Sequence, residues 1–228
     1  MRALIAFDLD GVIYSSEPFL GEAYREAIAR VNAQRPGSFP RVPSTREILD
    51  HVGWPVPVIL NRLFPQIDPE AVRLLYSATL TVICAHMAQG EGILFGGVAA
   101  TLTRLRHAGL RLAIASNGRR QYVETVLTTH RIAQYFEELV SVGDAGIEGK
   151  GDVLRALLLR NGVGPSETIM VGDRDSDVEA AAAVGCHFIG CDYGHGYRDE
   201  IAHAGPIVSR FEQLPGVIAR VLVCPACA

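Results

Sequence analysis

Ala3-Leu4-Ile5-Ala6-Phe7-Asp8-Leu9-Asp10-Gly11-Val12 is the stretch that decides the fold. Its first five residues are apolar, with the length and composition of a strand buried on both faces of a parallel sheet. The strand ends where the carboxylates begin. Open parallel sheets gather ligands at the carboxyl ends of their strands. Two aspartates one residue apart at that edge hold like charges close together, which is costly unless a cation or a proton is shared between them. A parallel sheet with a charged rim is the first expectation.

Further along the chain the same pattern returns. The strand Arg111-Leu112-Ala113-Ile114-Ala115 ends at Ser116-Asn117-Gly118, and a weaker strand, Glu138-Leu139-Val140-Ser141, leads through a glycine-rich loop to a helix near Lys150. Thr168-Ile169-Met170-Val171 ends at Gly172-Asp173, and His187-Phe188-Ile189-Gly190 is a further strand. Helices are predicted between them, over Val98 to His107, Arg119 to His130 and Asp175 to Val184. Strands alternating with helices imply βαβ units.

Residues 15–90 carry helical signals and no obvious strand. Apolar spacing runs from Leu20 to Gln34, and a Pro/Gly-rich break follows at Arg35-Pro36-Gly37-Ser38-Phe39-Pro40. Ser44-Thr45-Arg46-Glu47 reads as a capping box opening a short helix that ends near Gly53. A second short helix covers about Val56 to Phe64. A long one starts at Asp68-Pro69-Glu70, with Pro in its first turn, and reaches about Gln89. The predicted architecture is α/β: a Rossmann-like three-layer core of residues 1–14 and 91–228 around a central parallel sheet, with a small all-helical cap, residues 15–90, inserted after the first strand.

Composition narrows the partners. The chain has 228 residues, 49% hydrophobic and 20% charged, enough for one substantial core plus a small insert. A net charge of −4 with no basic run argues against nucleic acid or an anionic membrane. Asp8 and Asp10 interrupt what would be the apolar stretch of a signal peptide, and no apolar segment of membrane-spanning length is free of charge. A cytoplasmic protein is expected. The five cysteines are odd in number and scattered, which does not suggest a disulfide framework. Cys224-Pro225-Ala226-Cys227 lacks the two further ligands of a zinc site and reads as a tail with reduced thiols.

Four predicted strand ends carry complementary groups: Asp8 and Asp10, then Ser116 and Asn117, then Lys150, then Asp173 with Asp177. Carboxylates are a Mg²⁺-type ligand set. A hydroxyl, backbone N–H groups at a helix start and an ammonium suit a phosphoryl group. Together they describe phosphoryl transfer with a carboxylate as nucleophile. Lysine usage sharpens this, because Lys150 is the single lysine among 21 basic residues. Lysine offers a compact point charge where arginine presents a broad fork.

These residues resemble the haloacid dehalogenase-like hydrolase superfamily, in the branch with a helical cap after the first strand. Ala6 through Val12 match its first motif and Ala113-Ile114-Ala115-Ser116-Asn117 its second. Lys150 matches the third, and Val171-Gly172-Asp173 with Asp177 the fourth. The resemblance implies that Asp8 attacks phosphorus to form an aspartyl-phosphate. Asp10 would protonate the leaving oxygen and then activate the hydrolytic water. Mg²⁺ would be held by Asp8, the backbone carbonyl of Asp10 and Asp173, with Asp177 nearby, while Ser116, Asn117 and Lys150 bind the phosphoryl oxygens.

The stretch from Met170 to Gly190, with Tyr193-Gly194-His195-Gly196, is similar to phosphoglycolate phosphatase relatives. A Mg²⁺-dependent phosphatase for a small phosphorylated metabolite, with phosphoglycolate leading, is therefore expected. The alternatives are a phosphomutase of the β-phosphoglucomutase type, a haloacid dehalogenase and a non-catalytic binding protein. Asp10 and Asp173 argue against the dehalogenase, which uses the first aspartate without the second. Some side chains have structural readings instead. Asp175 fits a helix N-cap, and Asp177 also suits a first helical turn. Arg119 and Arg120 read as solvated, and Trp54, Arg46 and Arg62 of the insertion could face substrate but read first as packing or surface residues.

Overall fold

The computed structural model describes residues 3–223, so the Cys224/Cys227 pair lies outside the described residues. In chain order, β1 (Leu4–Phe7) and a two-residue strand β2 (Tyr14–Ser15) precede four helices: α1 (Glu17–Gln34), α2 (Thr45–Leu49), α3 (Val56–Leu63) and α4 (Pro69–Ala88). Then come β3 (Ile93–Leu94), α5 (Val98–His107), β4 (Arg111–Ser116), α6 (Arg120–Thr129), β5 (Glu138–Ser141) and α7 (Lys150–Asn161). The chain continues through β6 (Thr168–Gly172), α8 (Asp175–Val184), β7 (His187–Cys191), α9 (Arg198–Ile201), β8 (Ile207–Val208) and α10 (Leu214–Val223).

Six strands form one parallel sheet in the order β5-β4-β1-β6-β7-β8. Side chains alternate across a strand, and the two faces separate accordingly. Ile5 and Phe7 of β1, with Leu112 and Ile114 of β4 and Ile169 and Val171 of β6, join the core beneath α5, α6 and α10. Leu4, Ala6, Ala113, Ala115 and Met170 face the other way, against α7 and α8. This gives the expected three layers. All four residues of β1 are fully buried, which is why its sequence reads as an unbroken apolar run.

Register fixes the rim. Phe7 lies level with Ile114 of β4 and Val171 of β6, so Asp8, Ser116 and Asp173 emerge within a residue of one another on the same edge. The chain leaves β1 for β4 and β5 on one side and returns to β6 on the other. The switch point, where ligands bind in such sheets, therefore lies at β1.

The helical segment leaves and rejoins the sheet through β2 and β3, which pair antiparallel with Tyr14 opposite Leu94 and Ser15 opposite Ile93. The buried Tyr14 hydroxyl donates to the Glu91 carbonyl at 3.1 Å. Ser15 thus corrects the expectation of no strand within residues 15–90. Two residues are too short to show a period, as are those of β8, which was also not anticipated. The Ser44 capping box is present: Glu47 N–H donates to Ser44 Oγ, and Ser44 N–H to Glu47 Oε2 at 2.8 Å. α4 is long and apolar enough to cross a membrane by length and composition, but carries Glu70 and Arg73. Here it buries Ala71, Leu75, Val82 and Met87 and exposes Arg73, Ser77 and Thr81, the two-sidedness of a helix on a protein core.

Candidate active site

Asp8 is the first residue beyond β1, held by a hydrogen bond from its N–H to the Val171 carbonyl at 2.9 Å. The chain then turns away at Gly11, whose φ of +82° favours glycine. A Cβ there would lie 2.1 Å from Asp173 Oδ2, so the absent side chain also lets β1's loop press against Asp173.

Asp173 follows β6, and Asp177 lies in the first turn of α8. Asp177 Oδ2 accepts from the N–H groups of Asp173 (3.1 Å) and Arg174 (3.2 Å), folding the loop around the helix start. The first-turn role of Asp177 and its place in the site are thus compatible. Asp175 is not the N-cap: α8 begins at Asp175 itself, whose carboxylate accepts from Ser176 N–H, while Asp177 satisfies the loop donors.

Carboxylate oxygens of Asp8, Asp173 and Asp177 lie within 4.8 Å of one another, and all three residues are buried. Lys150, 5% exposed, places Nζ 2.5 Å from Asp8 Oδ1 and 2.9 Å from Asp177 Oδ1. Burial opposes the ammonium charge, but the carboxylates of Asp177 and Asp8 override it and raise the lysine pKa. Burial also pushes Asp8 up to about 7, against the pull of Lys150 and with the repulsion of Asp177 and Asp173. Asp173 is likewise pushed up to about 7, first by burial and then by Asp177.

One ammonium thus pairs with two of the three clustered carboxylates, and the third, Asp173, feels the positive charge of Arg174. Asp173 Oδ2 accepts from His195 N–H at 2.8 Å and Gly196 N–H at 3.1 Å, but its buried Oδ1 has no partner among the described residues. A buried carboxylate oxygen without a partner is costly. An all-oxygen donor set with unbalanced negative charge fits a hard divalent cation.

The Asp10 carboxylate stands outside this cluster and accepts a hydrogen bond from the Tyr122 hydroxyl of α6. Burial pushes it up to about 7, with the Tyr122 hydrogen bond opposing. Asp8, Asp10, Ser116 and Asn117 share a chamber whose opposite wall comes from the helical segment, through Leu20, Ile48, Val52, Trp54, Ile59 and Leu80. Ser116 Oγ accepts from Gly118 N–H at 2.9 Å. Asn117 Nδ2 donates across to the Gly53 carbonyl at 2.7 Å, and its buried Oδ1 has no partner among the described residues.

The seven residues singled out in the sequence therefore occupy one rim. Asp8, Lys150, Asp173 and Asp177 form its charged centre. Asp10, Ser116 and Asn117 join Asp8 around the chamber.

Other contributors escaped sequence reasoning. Arg174, 2% exposed, donates from Nε to the Val52 carbonyl and from Nη2 to the Leu49 carbonyl, both at 2.8 Å. It ties the Asp173 loop to the last turn of α2 and the segment after it. Tyr122 and the backbone donors of His195 and Gly196 were also missed. The Gly194-His195-Gly196 spacing after β7 was the available signal: a Cβ on Gly196 would stand 1.9 Å from the Asp173 carbonyl oxygen.

Trp54 packs against the core, as expected, and also lines the chamber, with the Arg62 guanidinium 4.4 Å from its ring centroid. One expectation changes: Arg119 is half-buried, whereas Arg120 is exposed, as expected. Arg120 pairs with Asp144 at 2.7 Å, and Arg119 lies 4.1 Å over the Tyr76 ring of α4.

The family model described as "Haloacid dehalogenase-like hydrolase" matches residues 5–191. The chain is 33% identical over 211 residues to a phosphoglycolate phosphatase of Vibrio cholerae, covering 89% of this chain and 90% of the relative. It is 29% identical over 224 residues to a phosphoglycolate phosphatase of Photobacterium profundum, covering 94% of each. Among solved structures it resembles that of a predicted phosphatase from Clostridium acetobutylicum, with a TM-score of 0.83 at 23% identity, covering 96% of this chain and 99% of that one.

Proposed function

The chain belongs to the haloacid dehalogenase-like hydrolase family and is a phosphoric monoester hydrolase, and we propose that it is a Mg²⁺-dependent phosphatase of a small phosphorylated metabolite, working through an aspartyl-phosphate on Asp8. Phosphoglycolate is the leading candidate, because it is the substrate named for the relatives at about one-third identity. The observation that carries this reading is the Asp8–Lys150–Asp173–Asp177 cluster, in which a carboxylate at a strand end is buried beside an ammonium and two further carboxylates.

Asp8 is the nucleophile. Lys150 and Ser116 hold the phosphoryl oxygens, Lys150 by exchanging part of its hold on Asp8 for the incoming phosphate. Asn117, bonded to Gly53, orders the chamber wall as well as the phosphoryl site. Asp10, facing the chamber and anchored by Tyr122, carries the proton: first to the leaving oxygen, then away from the attacking water. Asp8, the Asp10 carbonyl, Asp173 and Asp177 would hold Mg²⁺, which offsets charge on the phosphoryl oxygens when bound. Residues 15–90 serve as a cap over the core of residues 1–14 and 91–228, closing the chamber and excluding water before the leaving group departs.

Phosphate release from a panel of phosphorylated metabolites in Mg²⁺, phosphoglycolate included, tests the reading, with Asp8→Asn as the blank. Release above the blank is the expected result. Isomerisation of a sugar 1-phosphate without phosphate release would overturn hydrolysis in favour of a phosphomutase.

A further inference from the structure

Arg119 follows the Ser116-Asn117-Gly118 turn and lies half-buried at the start of α6. Among the described residues it is the only cationic side chain lining the chamber. The other charged groups there are the carboxylates of Asp8 and Asp10, and most of the remaining wall is apolar. No carboxylate pairs with Arg119 among the described residues, although its neighbour Arg120 pairs with both Asp144 and Glu124. The Arg119 guanidinium is instead held 4.1 Å over the Tyr76 ring, which fixes its plane without neutralising it.

Its position is at the mouth. Arg119, Tyr76, Leu80 and Asn117 line both the chamber and the groove that continues outside it. Ser116 and Asp8, the partner of Lys150, line the chamber but not the groove. One further polar group lines the chamber from α4: the buried Thr79 hydroxyl, which has no hydrogen-bond partner among the described residues.

A half-buried guanidinium without a counter-charge is incompletely satisfied, and a planar fork matches a carboxylate bidentately. A negative group on the leaving alcohol would be repelled by Asp8 and Asp10 and poorly solvated by the apolar wall. Arg119 is where it can be accepted.

We propose that Arg119 is a specificity-determining residue that binds a carboxylate on the leaving group, so that the chamber selects phosphomonoesters of short hydroxy acids. This rests on the phosphomonoesterase reading of the site and adds the residue that recognises the substrate's far end. Thr79 offers a second hydrogen bond to the same end.

The test compares phosphoglycolate with ethyl phosphate, which keeps the phosphoryl group and replaces the carboxylate by a methyl group. Binding of both to the Mg²⁺-loaded Asp8→Asn chain is measured by calorimetry, with and without Arg119→Gln. A charge-assisted hydrogen bond is worth about 1.5–3 kcal/mol, so the preference for phosphoglycolate should fall about ten- to hundredfold. Arg119→Lys should retain part of it. An unchanged preference, or equal weakening of both ligands, overturns the proposal, the latter by making Arg119 a phosphoryl contact. Binding of neither ligand overturns it also. Phosphate release by the unsubstituted chain is read separately. Its absence removes the hydrolase reading while the binding preference still decides the role of Arg119.

Discussion

Lys150 Nζ lies 2.5 Å from Asp8 Oδ1, joining two buried residues 142 positions apart. Lys150 also contacts Asp177, so one ammonium neutralises part of a three-carboxylate cluster. Lys150→Met leaves those carboxylates without their cation. Removing one partner of a buried ion pair costs about 3–5 kcal/mol, and the loss of phosphoryl stabilisation should lower kcat by about 10²–10³-fold. Thermal unfolding and phosphate-release kinetics measure the two effects. A variant with unchanged kcat would remove Lys150 from the chemistry.

The same crowding sets a pH dependence of stability. Asp8, Asp10 and Asp173 are each raised from an ordinary 3.8 to about 7, chiefly by burial. The folded chain therefore binds more protons than the unfolded chain between about pH 4 and 7, and without metal its stability falls as pH rises through that window. Saturating Mg²⁺ should offset part of the loss near pH 7.5. A hundredfold excess over Kd adds about 2.7 kcal/mol, worth roughly 5–10 °C in Tm for a chain of this size. Melting curves with EDTA and with Mg²⁺ across pH 5–8 check both signs. Asp173→Asn should flatten the dependence.

Tyr122 donates to the carboxylate of Asp10, which stabilises the ionised form and pulls against burial. Tyr122→Phe removes that pull, so the Asp10 pKa rises. The limb of the kcat/KM profile that reports Asp10 should move to higher pH, with kcat falling more than KM changes. A profile superimposable on that of the unsubstituted chain would disconnect the phenol from proton transfer.

Arg174 holds the carbonyls of Leu49 and Val52 with two separate nitrogens. Arg174→Ala leaves two carbonyl groups without donors, each costing about 1–3 kcal/mol. Lysine cannot reproduce two divergent donors, so Arg174→Lys should recover little. Limited proteolysis should become faster between residues 49 and 55, ahead of global unfolding. Protection equal to that of the unsubstituted chain in both variants would show that other contacts hold the helical segment.

Much of the core was legible because its signals are local. Buried parallel strands read as apolar runs, and each of the five longer strands lies within a residue or so of its expected limits. The Ser44 box announced α2 because both partners lie within four residues. The pairing of β2 with β3 joins Tyr14 to Leu94, and nothing local to either marks the other. Tyr122, Arg174 and Arg119 were passed over for a related reason: each acts on residues far away in sequence, and a tyrosine or arginine on a helix has no spacing that reveals its target.

The sequence by itself determined the chemistry on offer: a sheet with aspartates, a serine, an asparagine and a lone lysine at its strand ends, because strand length, burial and helix capping are written within a few residues. Tertiary structure alone decided how those groups divide. The register of β1 against β4 and β6 brings Asp8 to Asp173, Asp177 and Lys150, while Asp10 turns to Tyr122 and the chamber. Two aspartates separated by one residue are thereby given different surroundings. That division depends on packing between segments more than a hundred residues apart, which leaves no trace in local sequence.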